Sequence, residues 1–110
     1  MTAYSRTKDG REEELAYWRK HNALHGWMEA LFRVKGGTGM FNGEEVELDS
    51  EDLSMLETSV LANCLPVTQG FFFGGDTSDD PVYKERDLEF IYKAREVISD
   101  GQSVIYNSSW

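Results

Sequence analysis

Apolar positions recur at helical spacing in three stretches of the chain. The strongest contains Leu24, Trp27, Met28 and Leu31 at i, i+3, i+4, i+7, extended backwards by Tyr17 and forwards by Phe32. It predicts a helix from Arg11 to about Lys35, with Asp9 as cap and Glu12 to Glu14 at the positive end of the helix dipole. Arg33 and Lys35 suit its last turn, and Gly36 and Gly37 stop it. Gly26 inside this helix costs about 1 kcal/mol relative to Ala, which close approach of another backbone or of a ligand would explain. A second helix is predicted over 51–63, capped by Asp49 or Ser50 and burying Leu53, Leu56, Val60 and Leu61. A third spans about 84–99, with Leu88, Ile91, Tyr92, Arg95 and Ile98 at helical spacing and Gly101 as its stop. Residues 36–43 read as a loop, and Val46 to Leu48 and Ser103 to Tyr106 as short strands. The polar residues 1–10 read as a flexible lead-in to one globular domain over 11–110. The expected class is mainly α within α+β: a compact three-helix domain with a few short strands.

Composition sharpens this picture. With 110 residues, 40% of them apolar and 13% aromatic, the chain can bury a core in a single domain, and its composition excludes intrinsic disorder despite a net charge of −9. No run approaches the roughly 20 apolar residues of a membrane span, and the polar N-terminus lacks the apolar region of a signal peptide. No membrane partner is expected. Cys64 is the single cysteine, which excludes an intramolecular disulfide and suits a reducing compartment. Its place late in an apolar helix reads as a small core residue.

The charge is unevenly distributed. Residues 1–35 carry seven bases against five acids, +2, whereas the remainder carries four bases against fifteen acids, −11. No basic residue falls between Lys35 and Lys84. Such a surface repels nucleic-acid phosphates, so direct nucleic-acid binding is not expected. Solubility alone, or a partner with a basic groove, would account for it.

Candidate chemistry is sparse. His21 and His25 stand at i, i+4 with Glu29 continuing the row, but the segment between them lacks the Glu of the metalloprotease pattern, and no metal is expected. No nucleophile–base pair, phosphate-binding loop or dinucleotide fingerprint is present, and no cofactor is implied. The most distinctive short stretch is Gly70-Phe71-Phe72-Phe73-Gly74-Gly75. Three consecutive aromatics cannot all enter one core from an extended segment, because side chains alternate faces. It reads either as a buried strand or as an aromatic loop over a planar ligand or partner.

Two segments carry a resemblance: Tyr17-Trp18-Arg19-Lys20-His21-Asn22-Ala23-Leu24-His25-Gly26-Trp27 and Leu65-Pro66-Val67-Thr68-Gln69-Gly70-Phe71-Phe72-Phe73-Gly74. Together they resemble a family of small uncharacterised proteins of tailed bacteriophages and prophages, over most of residues 15–100. Many relatives carry Ala where this chain has His21, leaving His25 as the shared histidine and weighing against a metal pair. The resemblance implies a phage origin and a setting in the host bacterial cytoplasm, and it supplies no mechanism.

The expected function is therefore that of a phage counter-defence binding protein rather than an enzyme. Its expected ligand is a nucleotide-type immune signal, held where helix one meets the Gly70 to Gly75 loop. Arg19 and Lys20 would supply positive charge, Asn22, His25 and Gln69 polar contacts, and Trp18, Trp27, Phe72 and Phe73 aromatic surface. One alternative is an inhibitor whose acidic segment 44–57 occupies a host nucleic-acid-binding or defence protein. Others are a nucleotide hydrolase or lyase using His25 as general acid–base, and a structural phage protein forming a homo-oligomer through its aromatics.

Overall fold

A computed structural model describes residues 1–19, 21–39, 41, 43–65 and 81–108. These form β1 (Thr2–Arg6), β2 (Glu12–Tyr17), α1 (Asn22–Val34), β3 (Glu45–Leu48), α2 (Ser50–Leu61), α3 (Pro81–Ser99) and β4 (Ser103–Asn107). The class is α+β, as expected. The strands make one antiparallel sheet in the order β2-β1-β4-β3. Residues 2–6 and 103–107 thus supply the two central strands.

Alternation along these strands sorts the two faces of the sheet. Ala3 pairs with Ala16 on one side and Tyr106 on the other, Val46 pairs with Tyr106, and Leu48 with Val104. These positions share the core with Leu24 and Met28 of α1, Leu53 and Leu56 of α2, and Phe90, Ile91 and Ala94 of α3. Apart from the buried Ile105, the opposite face is polar. There Arg6 bridges Glu12 of β2 at 2.7 Å and Glu45 of β3 at 2.9 Å, and the Tyr4 hydroxyl donates to Glu45. The sheet therefore has one face under helices and one toward water, the usual division for antiparallel strands.

The helix ends follow local chemistry. Asp49 caps α2 in a capping box, its side chain accepting from the Asp52 N–H while Asp52 accepts from the Asp49 N–H. Gly36 ends α1 at φ 95° and Gly101 follows α3 at φ 84°, left-handed positions that a Cβ would strain. Lys35 ties three elements together: its Nζ lies 2.6 Å from Asp52 of α2 and donates to the Glu47 carbonyl of β3 at 2.7 Å.

Several expectations change. Residues 2–6 are a central strand rather than a flexible lead-in, and 12–17 are an edge strand rather than the first turns of a helix. The reason is pairing: a turn closed by Thr7 N–H to the Arg11 carbonyl at 2.8 Å folds β2 back on β1, and the ladder between them outweighs the favourable helix propensity of the Glu, Leu and Ala residues. Helix α1 therefore begins at Asn22, and Tyr17, expected on its buried side, is 58% exposed. Leu61, at the end of α2, is exposed because that helix buries Leu53, Leu56 and Val60, and Tyr92 is exposed because the buried stripe of α3 runs through Asp87, Phe90, Ile91 and Ala94. Cys64 is exposed, beyond the end of α2.

Two outcomes follow for stability. Deleting residues 1–6 removes a strand paired on both edges, so the truncated chain should lose its dispersed amide NMR spectrum. Asp49→Ala should lower the unfolding free energy by about 1 kcal/mol in urea titration, as expected for the loss of an N-cap.

Candidate functional site

The residues singled out near the start of α1 converge on one place, and it is inside the protein. Trp18, His21, Asn22 and His25 are all fully buried. Trp18 and His21 lie in the connection between β2 and α1, which brings Trp18 over Tyr106 of β4 and both residues against α3. Trp18 meets Phe90 edge-on, centroids 5.2 Å apart, and leans on Tyr106 at 6.5 Å. His21 stacks on Tyr83 at 4.3 Å, and its Nε2 lies 2.9 Å from Asp87 Oδ2. The Tyr83 hydroxyl reaches back to donate to the Arg19 carbonyl at 2.6 Å. His25 Nδ1 lies 2.8 Å from the Tyr106 hydroxyl, and its ring stacks on Phe41 at 5.1 Å.

Burial governs the protonation of this cluster. Removing Asp87 from water raises its pKa, while its hydrogen bond and attraction to His21, and the neighbouring Trp18, act the other way. His25 is pushed down to about 4 by burial first and by the positive N-terminus second, so it is neutral near pH 7. Burial raises the Tyr106 phenol well beyond its ordinary range, so it stays protonated as a hydrogen-bonding group. Trp18 Nε1, Asp87 Oδ1 and Ser108 Oγ are buried without a hydrogen-bond partner of good geometry among the described residues.

This arrangement joins an imidazole to a carboxylate as a base is joined to its orienting acid, but neither side chain exposes an edge to a substrate. As folded, it cross-links elements. His21 fixes the α1 entrance to α3, and His25 fixes α1 to β4. The two histidines turn to different partners, Asp87 and Tyr106, and Glu29 pairs with Arg33 at 3.6 Å. Among the described residues no three His, Cys, Asp or Glu side chains converge as metal ligands do.

The other expected site residues are dispersed. Arg19 is exposed, and Trp27 is half-buried on the far side of α1. Lys20, Gln69, Phe72 and Phe73 lie outside the described residues, as does the whole Gly70 to Gly75 stretch. Sequence reasoning missed Asp87, Tyr83, Tyr106 and Phe41. Asp87 had a signal: it precedes Ile91 and Ala94 by four and seven residues, an acid in the middle of an apolar stripe.

Trp27 opens onto a different feature. Between α1 and α2 runs a groove of about 640 Å³, lined by Trp27, Leu31, Val34, Met55, Thr58 and Ser59 among others. Val34 is 83% exposed and Met55 52% exposed, unusual for large apolar residues on helices whose core faces lie elsewhere. A smaller depression of about 290 Å³ beside β2 and α3 holds Arg86 and Lys93, but Glu14 and Glu89 line it too and balance their charge. No described helix is long and apolar enough to cross a membrane. The chain matches no protein-family model, no curated protein and no solved structure.

Two measurements probe the buried cluster. The depressed His25 pKa means that the unfolded chain takes up a proton near pH 6.5 while the folded chain resists until about pH 4. Stability contributed by neutral His25 is complete above pH 6.5 and is lost on acidification toward pH 4, by on the order of 3 kcal/mol. The raised Asp87 pKa has the opposite sign and offsets part of this loss at the acid end. Urea midpoints across this range should fall for the parent chain and flatten for His25→Gln. His21→Ala should cost about 3–5 kcal/mol by leaving Asp87 buried without its partner, and pairing it with Asp87→Ala should cost less than the two single losses together.

Proposed function

We propose that this chain is a phage-encoded, non-catalytic binding protein of the counter-defence kind, and that it acts by occupying a host protein. The observation that carries the reading is the contrast between interior and surface. The groups able to do acid–base chemistry, His21, His25, Asp87 and Tyr106, are closed inside the fold, while the surface offers an open apolar groove. Apolar surface of this kind on a small domain marks a contact site for another macromolecule.

The nucleotide-sequestering form of the reading asks Trp18, Asn22 and His25 to touch a ligand, and their complete burial weighs against it. Hydrolysis through His25 meets the same obstacle. The acidic balance of the chain supports a protein partner with basic character, and the phage resemblance of the Trp18 to Trp27 segment supports a host setting.

The test is affinity capture from bacterial lysate, run in parallel with titration calorimetry against cyclic and linear nucleotides. One host protein should be retained reproducibly, identified by mass spectrometry, and bind again as a purified component, while the nucleotides give no heat. Saturable binding or turnover of a nucleotide overturns the proposal, and so does failure to retain any host protein.

A further inference from the structure

We infer that Lys35 is a strap that closes the free edge of β3 against strand addition by a second copy of this chain. β3 is the last strand of the sheet and pairs only with β4. In antiparallel ladders the backbone groups of successive residues turn to alternate sides. The Thr7 N–H bond to the Arg11 carbonyl sets that alternation: Thr7 and Ser5 face β2, Tyr4 and Arg6 face β4, and Val104 and Tyr106 face β3. Val46 and Leu48 then face β4, which leaves Glu45 and Glu47 facing outward. An outward row of this kind is a template for another strand.

One side chain closes this edge. Lys35 follows the last turn of α1, and its Nζ donates to the outward Glu47 carbonyl at 2.7 Å. Asp52 holds the ammonium at 2.6 Å, and is itself fixed by the Asp49 N–H at 3.0 Å within the capping box of α2. The strap thus has its anchor on α2 and its tip on the strand edge. Beside β3 lies a cleft of about 370 Å³, walled by Phe32, Gly36, Gly37 and Val46, with Lys35 reaching through it to Glu47. The two glycines put no side chain into this space, so another backbone has room to approach once Lys35 is removed.

The other edge of the sheet shows the contrast. β2 carries a register shift against Ala3 and Tyr4 and three consecutive exposed glutamates, Glu12, Glu13 and Glu14. A bulge and like charge blunt an edge without help from another element. β3 keeps an unbroken register with β4, and its Glu45 is engaged by Arg6 at 2.9 Å and by the Tyr4 hydroxyl. A two-fold pairing centred on Val46 sets Glu45 against Glu47 of the second copy, with each outward N–H facing an outward carbonyl. Repulsion between those glutamates is offset by Arg6 and screened by salt, so the occupied Glu47 carbonyl is the stronger block.

The experiment compares the full chain with Lys35→Met, which keeps most of the side chain's length and loses its donor. Both are run at about 0.5 M salt, where charges more than about 4 Å apart are largely screened. Sedimentation equilibrium reads association, and NMR hydrogen exchange reads the Glu45 and Glu47 amides. The parent should sediment as a monomer, with both amides exchanging fast at every protein concentration. Lys35→Met should associate at least about tenfold more strongly, and both amides should exchange about tenfold more slowly as concentration rises. Adding Glu47→Pro removes an outward donor and no ladder bond, so it should restore the monomer. Lys35→Arg, which keeps a donor, should stay monomeric. Circular dichroism melts check that Lys35→Met folds, and Lys35→Gln, with a donor for Asp52 on a shorter side chain, should behave as Lys35→Met does.

A parent chain that already associates with Glu45 and Glu47 protected overturns the inference, and so do folded Lys35→Met and Lys35→Gln variants that stay monomeric. A Lys35→Met dimer that survives Glu47→Pro, or that protects Glu12 and Glu14 of β2 instead, also overturns it, because the contact then lies elsewhere. Capture of a host protein is a separate outcome. It can fail while Lys35→Met dimerises, and it can succeed while Lys35→Met stays monomeric.

Discussion

Asp87 is a carboxylate with 1% of its surface exposed, and much of the molecule is arranged around keeping it there. A buried carboxylate without a partner is costly enough to unfold a domain of marginal stability. Its partner, His21, sits 66 residues earlier in the chain, in the short connection that turns β2 into α1. Satisfying Asp87 therefore fixes where α1 begins. Once that point is set, His25 comes one helical turn later beside Tyr106, and Trp18 is drawn into the gap between Phe90 and the sheet. One polar pairing thus orients a helix, a connection and the largest side chain of the core.

The sheet supplies the platform on which this is possible. Tyr106, the hydrogen-bond partner of His25, projects from β4 between β1 and β3, so its position depends on pairings with Ala3 and Val46, both far from it in sequence. These contacts are distant in sequence, and pairings of this kind carry the entropy cost of closing long loops. It also explains the division of the surface. The helices cover one sheet face and leave α1 apart from α2, and the groove is a consequence of that spacing.

A set of polar side chains can thus look like a reactive site in one dimension and act as internal fastening in three. Trp18, Asn22 and His25 cluster as a site would, yet their burial directs attention to Trp27, Val34 and Met55 on the outside. Trp27 belonged to the expected set because it is aromatic and near the others in sequence. Val34 and Met55 did not, because a single apolar residue off the core stripe of a helix carries no signal until a neighbouring helix places another opposite it.

Local chemistry alone determined a good part of this protein. The apolar spacing of Leu24, Met28 and Leu31, the Asp49 cap, the glycine stops at 36 and 101 and the β-branched tail at 104–105 gave helices and strands close to those observed, because each rests on interactions within one or two turns of chain. Tertiary structure decided the rest. Whether Glu12 to Tyr17 would be helix or strand depended on β1 folding back beside it, whether Asp87 would face water depended on His21, and whether Met55 and Val34 would form one surface depended on the separation of α1 from α2. In each case the deciding partner lies elsewhere in the chain, and no local pattern records which distant residues will meet.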